Sequence, residues 1–348
     1  MKKIGMIFPG QGSQFLGMCK DLYDKERIVQ ELFEEASNCL DLNFVRLCFA
    51  SSEKELRETV NAQTAIFLVS VAIATLLKEK YDIVPDVVAG HSSGEYSAVF
   101  AAGGMNFPDA LYLLKKRALF MEDATISQPG GMIAVVGISH EMLVTICSSI
   151  DDASNASMVA EIVNYNTNSQ HVVSGTLPAL EMVKESVLAA GGKVLPLNVS
   201  GAFHSRLMKQ ASESFAQYMV KVDFKDLKVP LVSNIDARMI VNNDAIKNAL
   251  AQQMSSHVQW WPSMQQLQDC DIILEVGPGD KLTKMLKREW PDKQIISVQK
   301  SDDINTVLRL LDRPCIATEH GDSCTCDHCS LGSAKPHVAS VRKEVVHE

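Results

Sequence analysis

Short apolar segments alternate with longer segments of helical periodicity over the first 126 residues of the chain. Residues 2–8 and 85–90 predict buried strands, and residues 63–80, 94–105 and 108–124 predict helices. Such alternation is typical of an open, mostly parallel sheet with helices on both faces. Because ligands of these sheets bind at the carboxyl ends of the strands, we expect the functional site there.

The middle of the chain follows a different order. Residues 131–137, 158–165, 171–174 and 193–199 predict strands, and residues 139–150 and 177–190 predict helices. This β-α-β-β-α-β order is that of a ferredoxin-like unit. Residues 230–234, 271–276 and 294–298 predict further strands of the first sheet. We therefore predict an α/β fold: a large α/β-hydrolase-like domain (residues 1–126 and 205–312) with a mostly parallel sheet, and an inserted ferredoxin-like α+β domain (residues 127–204). The cleft between them is the expected site.

The apolar periodicity ends after Leu311, and residues 313–348 are rich in Ser, His, Cys, Lys and Glu. This composition predicts a disordered tail. A soft metal held by this tail is the alternative, although the spacing of its ligands lacks the paired C-x-x-C of a zinc ribbon. The side chains with ligand chemistry are Cys315, His320, Cys324, Cys326, His328 and Cys329.

Composition and charge limit the classes of function. Hydrophobic residues make up 46% of the 348 residues and charged residues 22%, as in soluble globular proteins. The net charge of -9 disfavours binding to nucleic acid or to an anionic membrane. No apolar run of signal-peptide length begins the chain, and the longest apolar run, residues 65–77, is too short to cross a bilayer. Five cysteines are scattered through regular sequence, as buried reduced thiols would be, so we predict a cytoplasmic protein.

The strongest chemical signal is a G-x-S-x-G motif, Gly90-His-Ser92-Ser-Gly94, between a predicted strand and a predicted helix. The glycines allow a tight turn that lifts the serine hydroxyl out of the sheet, and the following amide points to where an oxyanion would form. A serine nucleophile needs a base. His204 is the best candidate, because it leaves the inserted unit at the mouth of the predicted cleft. A structural histidine is the alternative, and no acid stands out as a third member.

Arg117 is an unusual residue for its position. It lies on the apolar face of the helix predicted at residues 108–124, near Leu113, Leu114 and Met121. A guanidinium that faces a core needs an anion. That anion is either a protein carboxylate in a buried ion pair or a substrate carboxylate held by two hydrogen bonds.

Five motifs together resemble a known family, the malonyl-CoA:acyl-carrier-protein transacylases. Their order and approximate spacing match that family over about residues 1–311, without the tail. Residues 198–208 and 250–260 are most similar to the free-standing acyltransferases that serve polyketide synthases in trans. The five motifs are Phe8-Pro-Gly-Gln11-Gly-Ser-Gln14, Gly90-His-Ser92-Ser-Gly-Glu95, Arg117, Gly201-Ala-Phe-His204-Ser205 and Glu275-Val-Gly-Pro-Gly279.

The resemblance implies roles for the residues of the catalytic centre. Ser92 would be the acylated nucleophile and His204 its base. The main-chain carbonyl of Gln253 would accept a hydrogen bond from the second imidazole nitrogen. The backbone amides of Gln11 and Ser93 would form the oxyanion hole.

Three further roles concern the acyl group. By the same resemblance, Arg117 would hold the malonyl carboxylate, and Phe203 matches the motif form that selects malonyl over methylmalonyl. Ser93 departs from the pattern, because bacterial fatty-acid enzymes usually carry leucine there. We expect this serine to make the wall of the acyl pocket more polar.

The implied reaction is a ping-pong transfer of malonyl from malonyl-CoA to the phosphopantetheine thiol of an acyl carrier protein, in fatty acid or polyketide synthesis. It needs no metal and no bound cofactor. Since carrier proteins are usually acidic, a basic helix face after Gly279 is a candidate docking surface, and a merely solvated face is the alternative. The residues of that face are Lys281, Lys284, Lys287 and Arg288.

Three rival functions share some of these features. A proofreading acyl hydrolase would share the fold, but an unsubstituted acyl chain offers no anion to Arg117. An α/β-hydrolase esterase would need an acid between the serine and the histidine in chain order, and none stands out. A noncatalytic docking subunit would not need both Ser92 and His204. We therefore predict an acyltransferase.

Overall fold

The computed structural model describes residues 2–152, 154–155 and 157–314. Residues 2–301 belong to one compact unit and residues 302–314 to a second. The strands are β1 (Ile4–Phe8), β2 (Val87–Gly90), β3 (Gly131–Val136), β4 (Ala160–Tyr165), β5 (Gln170–Gly175), β6 (Lys193–Pro196), β7 (Leu231–Val232), β8 (Met239–Ile240), β9 (Ile272–Val276) and β10 (Gln294–Val298).

The helices precede, connect and follow these strands. They are α1 (Lys20–Lys25), α2 (Arg27–Leu40), α3 (Phe44–Ala50), α4 (Glu53–Arg57), α5 (Thr59–Tyr81), α6 (Gly94–Ala101), α7 (Phe107–Ser127), α8 (His140–Ile150), α9 (Leu177–Ala189), α10 (Lys209–Met219), α11 (Asn243–Gln253), α12 (Trp260–Gln265), α13 (Lys281–Glu289) and α14 (Ser301–Leu310).

The first sheet has the strand order β10-β9-β1-β2-β7-β8. All of its pairings are parallel except that of β7 with β8, which confirms the predicted mixed α/β fold with a mostly parallel sheet. Strands β1, β2 and β9 are buried along their whole length, as expected where helices cover both faces of a sheet. In register, Phe8 lies beside Gly90 and Ile7 beside Glu275, so the loops that follow these strands meet at one edge.

Helix α5 is longer than the apolar run of residues 65–77 that the sequence predicts to be too short to cross a bilayer. Its 23 residues, with a mean hydropathy of 1.9 over the most apolar 18-residue window, make it long and apolar enough to cross a membrane, so length does not exclude a span. In the structure, 83% of its most apolar window is buried inside the protein. It is therefore a core helix, and burial rather than length is the reason that it does not face lipid.

The second sheet has the order β4-β5-β3-β6, and every pairing in it is antiparallel. In this order β5 lies between the two strands of the β3-α8-β4 connection, and β3 lies between the two strands of the β5-α9-β6 connection. One face of this second sheet and helices α8 and α9 share an apolar core, which includes Val135, Leu143, Val173 and Val183. The β-α-β-β-α-β succession predicted for residues 127–204 is present, and its strands form a sheet of their own.

Several element ends differ from the sequence prediction, and two of the differences have a clear cause in the backbone. Helix α6 ends at Ala101 rather than at residue 105, because Gly103 adopts a φ of 86°, which is typical of a residue just after a helix. Strand β6 ends at Pro196 rather than at residue 199, because the chain turns after Leu197, where the amide of Val199 donates to the carbonyl of Leu197 over 2.9 Å. Helices α1 to α4, before the predicted helix at residues 63–80, were not predicted.

Candidate active site

Ser92 lies at the tip of a sharp turn between β2 and α6. Its φ of 53° is strained for a non-glycine residue, as expected of a nucleophile held on a tight strand-to-helix turn. The turn requires the flanking glycines. A Cβ on Gly90 would lie 2.1 Å from the carbonyl carbon of Gly94, and one on Gly94 would lie 2.3 Å from the carbonyl oxygen of Phe8.

Asn234, which follows β7, stabilises this turn and was not predicted. Its Oδ1 accepts a hydrogen bond of 2.8 Å from the backbone amide of Ser92. Its Nδ2 donates to the carbonyl of Gly90 over 2.6 Å. Asn234 is fully buried, so both groups depend on these bonds. The sequence signal for it was its position at the carboxyl end of a predicted strand.

His204 lies beside Ser92. The distance between Ser92 Oγ and His204 Nε2 is 2.7 Å, and His204 Nδ1 lies 2.9 Å from the main-chain oxygen of Gln253. The carbonyl can only accept, so Nδ1 carries the proton and Nε2 is available as an acceptor. Burial, followed by the charge of Arg117, lowers the pKa of His204 to about 3. The imidazole is therefore neutral near pH 7 and able to take a proton from the serine.

Arg117 on α7 is buried, and its guanidinium faces the same hydroxyl. Nη2 lies 3.3 Å from Ser92 Oγ and donates to the side-chain oxygen of Gln253 over 2.9 Å. Nη1 donates to Gln63 Oε1 over 2.8 Å and lies 3.1 Å from Met121 Sδ. No carboxylate of the described residues pairs directly with this guanidinium, so the buried ion pair kept as an alternative is absent there.

Glu95 and the side chain of Gln253 form the second layer behind Arg117. Gln253 Nε2 donates to a carboxylate oxygen of Glu95 and, over 2.9 Å, to the carbonyl of Ser92. The other oxygen of Glu95 accepts from the amide of Asn234 over 2.9 Å. Burial raises the pKa of Glu95 to about 7, although these hydrogen bonds and Arg117 act in the opposite direction. Glu95 is in the quoted serine motif, but no role was predicted for it.

The amides of Gln11 and Ser93 are the predicted oxyanion donors. Neither has a hydrogen-bond acceptor among the residues that the structure describes, so both are available to a ligand. Ser93 itself corrects one expectation. Its side chain is buried and does not line the cavity beside Ser92, so it does not make the wall of the acyl pocket more polar. Its Oγ lies toward Gly10.

A cavity of about 220 Å³ opens above Ser92 and His204. The loops after β1 and β2 of the first sheet, strands of the second sheet and side chains of α7 and α13 line it. Gln11 and Phe203 are among the lining residues. Phe203 is buried, with only 4% of its surface exposed. The cavity therefore brings an apolar wall, the nucleophile and the two amide donors to one place, while Arg117 lies behind the hydroxyl.

Comparisons with known proteins identify the family of this chain. Residues 6–302 match the family described as acyl transferase domain. The chain belongs to this acyl transferase family. It is 37% identical to a malonyl CoA-acyl carrier protein transacylase of Bacillus subtilis over 89% of this chain and 98% of that protein. A malonyl CoA-acyl carrier protein transacylase of Staphylococcus aureus is 36% identical over 87% of this chain and 98% of its own length.

Solved structures of the family have the same fold as this acyl transferase. A malonyl-transacylase determined with its acyl-carrier protein from a type II polyketide synthase has a TM-score of 0.84 at 33% identity, over 88% of this chain and 99% of that one. An acyl carrier protein S-malonyltransferase from Vibrio cholerae has a TM-score of 0.83 at 32% identity, over the same shares. The resemblance stated from the five motifs is confirmed.

The basic residues proposed for docking lie on α13 of the acyl transferase. All four are exposed. Lys284 pairs with Asp280 over 2.8 Å, and the ammonium of Lys281 donates to the carbonyl of Gly12, in the loop that carries Gln11. Lys287 and Arg288 have no salt bridge to a described residue. The docking role of this face stays a prediction.

The predicted metal ligands of the tail lie outside the described residues. Among residues 2–152, 154–155 and 157–314, no cluster of three or more His, Cys, Asp or Glu is arranged to hold a metal ion. The five cysteines upstream of the tail are unpaired thiols, of which Cys39 alone is exposed.

Proposed function

We propose that this chain transfers a malonyl group from malonyl-CoA to the phosphopantetheine thiol of an acyl carrier protein, through an ester on Ser92. The reaction serves fatty acid or polyketide synthesis. The observation that carries the proposal is a buried guanidinium 3.3 Å from the nucleophile. Among the described residues, its N–H groups bond only to amide oxygens, a sulfur and the hydroxyl itself, and its carbon lies 5.9 Å from the centre of the Tyr96 ring. An acyl group with a free carboxylate satisfies that charge, and a simple acyl chain does not.

The first half-reaction acylates Ser92. His204 Nε2 accepts the Ser92 proton while Oγ attacks the thioester carbon of malonyl-CoA. The amides of Gln11 and Ser93 donate to the oxyanion that forms. The C–S bond then breaks, and His204 returns the proton to the sulfur of the departing CoA. The products are the malonyl ester and CoA with its thiol.

The second half-reaction runs the same steps with a new thiol. The phosphopantetheine thiol gives its proton to His204 and attacks the ester carbon, and Ser92 leaves with that proton. Arg117 fixes the malonyl group at one end, so the ester carbonyl faces the incoming thiol. This orientation favours transfer over hydrolysis, the alternative reaction of the same intermediate.

The remaining features of the proposal are the partners, the location and the docking surface. None of the steps uses a metal or a bound cofactor, and the acidic chain has no proposed role with nucleic acid or membranes. We place the reaction in the cytoplasm, as the unpaired thiols upstream of the tail indicate. The exposed side chains of Lys287 and Arg288 are the members of the α13 face best able to meet an acidic carrier.

We also infer that the fold has the finer organisation predicted from the sequence. The interleaved antiparallel order β4-β5-β3-β6 supports a ferredoxin-like domain inserted at residues 127–204. The strand-turn-helix at Ser92 supports an α/β-hydrolase-like large domain, residues 1–126 and 205–312. The domain bounds and the tail at residues 313–348 stay predictions.

The test is to mix the protein with isotope-labelled malonyl-CoA and a panel of carrier proteins, and to follow acylated carrier and free malonate by mass spectrometry. We expect a labelled malonyl ester on the Ser92 peptide, and more malonyl-carrier than malonate. Free malonate in excess over malonyl-carrier with every carrier would identify a hydrolase. Wild-type transfer by Ser92→Ala would overturn the nucleophile assignment, and Ser93→Ala serves as the matched control at the neighbouring serine.

A further inference from the structure

The buried charges of the active site belong to a single chain of hydrogen bonds. Arg117 Nη2 donates to Gln253 Oε1 over 2.9 Å, and the Nε2 of the same carboxamide donates to Glu95. Glu95 and Arg117 are therefore separated by one side-chain amide. Glu95 is fully buried and Arg117 is 1% exposed, so water screens neither charge effectively.

The orientation of the Gln253 carboxamide is determined by its neighbours. Both hydrogens of Nε2 are used, one by Glu95 and one by the carbonyl of Ser92. A flipped amide would place its oxygen against these two acceptors and its hydrogens against the guanidinium. Glu95 therefore holds the Gln253 oxygen toward Arg117, which keeps the guanidinium beside Ser92.

The charge balance of this cluster changes when an acyl group binds. With the site empty, Arg117 and an ionised Glu95 cancel, since burial keeps His204 neutral. A malonyl carboxylate on Arg117 adds a second negative charge to the same buried cluster. Two carboxylates that share one cation repel each other, and protonation of one relieves the repulsion.

We propose that Glu95 is the counter-charge that sets the anion selectivity of Arg117, and that it takes up a proton from solvent when the malonyl carboxylate binds. The inference rests on the proposed malonyl transfer. Glu95 acts through Gln253 and Arg117, so it is a positioning residue. The acylation step itself neither releases nor consumes a proton near neutral pH, because the serine proton leaves on the CoA thiol. A net uptake of protons during acylation therefore comes from a group other than the serine and the thiol.

The groups that act on Glu95 come from three directions. Arg117 on α7 favours its ionised form, and Asp236 after β7 favours its protonated form. Tyr96 on the same helix as Glu95 is held neutral by burial. Burial raises the pKa of Glu95 to about 7. Because this value is close to the pH of the experiment, a further negative charge nearby changes the protonated fraction of Glu95 strongly.

The first test uses the wild-type protein, so it does not depend on the folding of a variant. Acylation is followed in weak buffer at pH 7.5 with an indicator dye, in parallel with the mass of the acyl-enzyme. We expect uptake of about half a proton per malonyl-enzyme, from a shift of about one pKa unit around this pH. Acetyl-CoA should load without uptake. Equal uptake with both substrates, or none with malonyl, would overturn the inference.

The second test uses Glu95→Gln, which keeps a hydrogen-bond acceptor for Gln253, loses the acceptor of the Asn234 amide and removes the charge. At pH 8 we expect malonyl loading relative to acetyl loading to rise about fivefold, because a shift of one pKa unit is only partly expressed at that pH, and the malonyl-specific proton uptake to disappear. The matched control is Glu275→Gln. Glu275 is equally buried and has its pKa raised to about 7, but it accepts from the amides of Leu282 and Thr283 at the start of α13.

The outcomes separate this inference from the proposed function. If Glu275→Gln alone abolishes the malonyl-specific uptake, or if Glu95→Gln changes malonyl and acetyl loading equally, Glu95 does not set selectivity. Malonyl transfer through Ser92 would still stand in those cases. If wild-type protein forms no malonyl ester on Ser92, the proposed function fails before Glu95 is tested.

Discussion

Replacing Arg117 with alanine should separate malonyl loading from acetyl loading. In the empty site, the weaker contacts of the guanidinium are those to Met121 Sδ at 3.1 Å and to Ser92 Oγ at 3.3 Å. These two donors can turn to a substrate carboxylate, while Gln63 and Gln253 keep the other two. Hydrogen bonds to a charged group contribute about 1.5 kcal/mol each, so the loss of two costs about 3 kcal/mol. That corresponds to a decrease of about 150-fold in kcat/KM for malonyl-CoA.

The assay is competitive loading of Ser92 from malonyl-CoA and acetyl-CoA, read from the mass of the active-site peptide. Acetyl loading should stay within about threefold of wild type, because acetyl makes no charge-assisted bond to lose. Lys116→Ala is the matched control, since Lys116 is a cation on the same helix that lies over the rings of Tyr112 and Tyr218 instead. A parallel decrease of both substrates in Arg117→Ala, with the fold retained by circular dichroism, would refute the role of Arg117 in recognition.

Three further predictions concern the turn and the base. Asn234→Ala removes both side-chain hydrogen bonds that restrain the strained Ser92 turn. We therefore expect denaturant unfolding to show a stability loss of about 2 kcal/mol, and the loading rate to be at least tenfold lower. An unchanged free energy of unfolding would contradict this. Gly94→Ala places a Cβ 2.3 Å from the Phe8 carbonyl, so we expect a lower Tm and loss of loading, whereas a wild-type Tm would show that the turn can relax. Because burial keeps His204 neutral, acetyl loading by Glu95→Gln, which lacks the other active-site group with a pKa near 7, should stay flat from pH 7.5 to 5.5, and an inflection near pH 6.5 would contradict the lowered pKa.

The parts of this site that the sequence predicted are those with a local signal. The turn at Ser92 needs glycine on both sides within five residues, and β1 and β2 are short apolar runs that end at turn residues. Arg117 was recognisable because a charged residue at an apolar position of a helical repeat needs an explanation. In each case the physical cause lies within one helical turn or one strand of the residue that it affects.

The parts that the sequence did not predict depend on contacts between distant segments. Asn234 bonds the amide of Ser92 from 142 residues away, and Gln63 holds Arg117 from another helix, 54 residues away. Asparagine and glutamine are common surface residues, so their presence in a sequence does not indicate which of them are buried. The choice between an ion pair and a substrate carboxylate for Arg117 likewise depended on which side chains the fold brings beside it.

The use of amide oxygens around Arg117 explains how one site can keep a buried cation and still bind an anion. A carboxylate in direct contact would neutralise the guanidinium and would have to be displaced by the substrate, at the cost of leaving a buried charge unpaired. The neutral oxygens of Gln63 and Gln253 satisfy the donors without competing for the charge. Glu95, one amide farther away, balances the charge without occupying the binding position. The same Gln253 holds His204 through its main chain, so a single residue orients both the base and the anion-binding side chain toward Ser92.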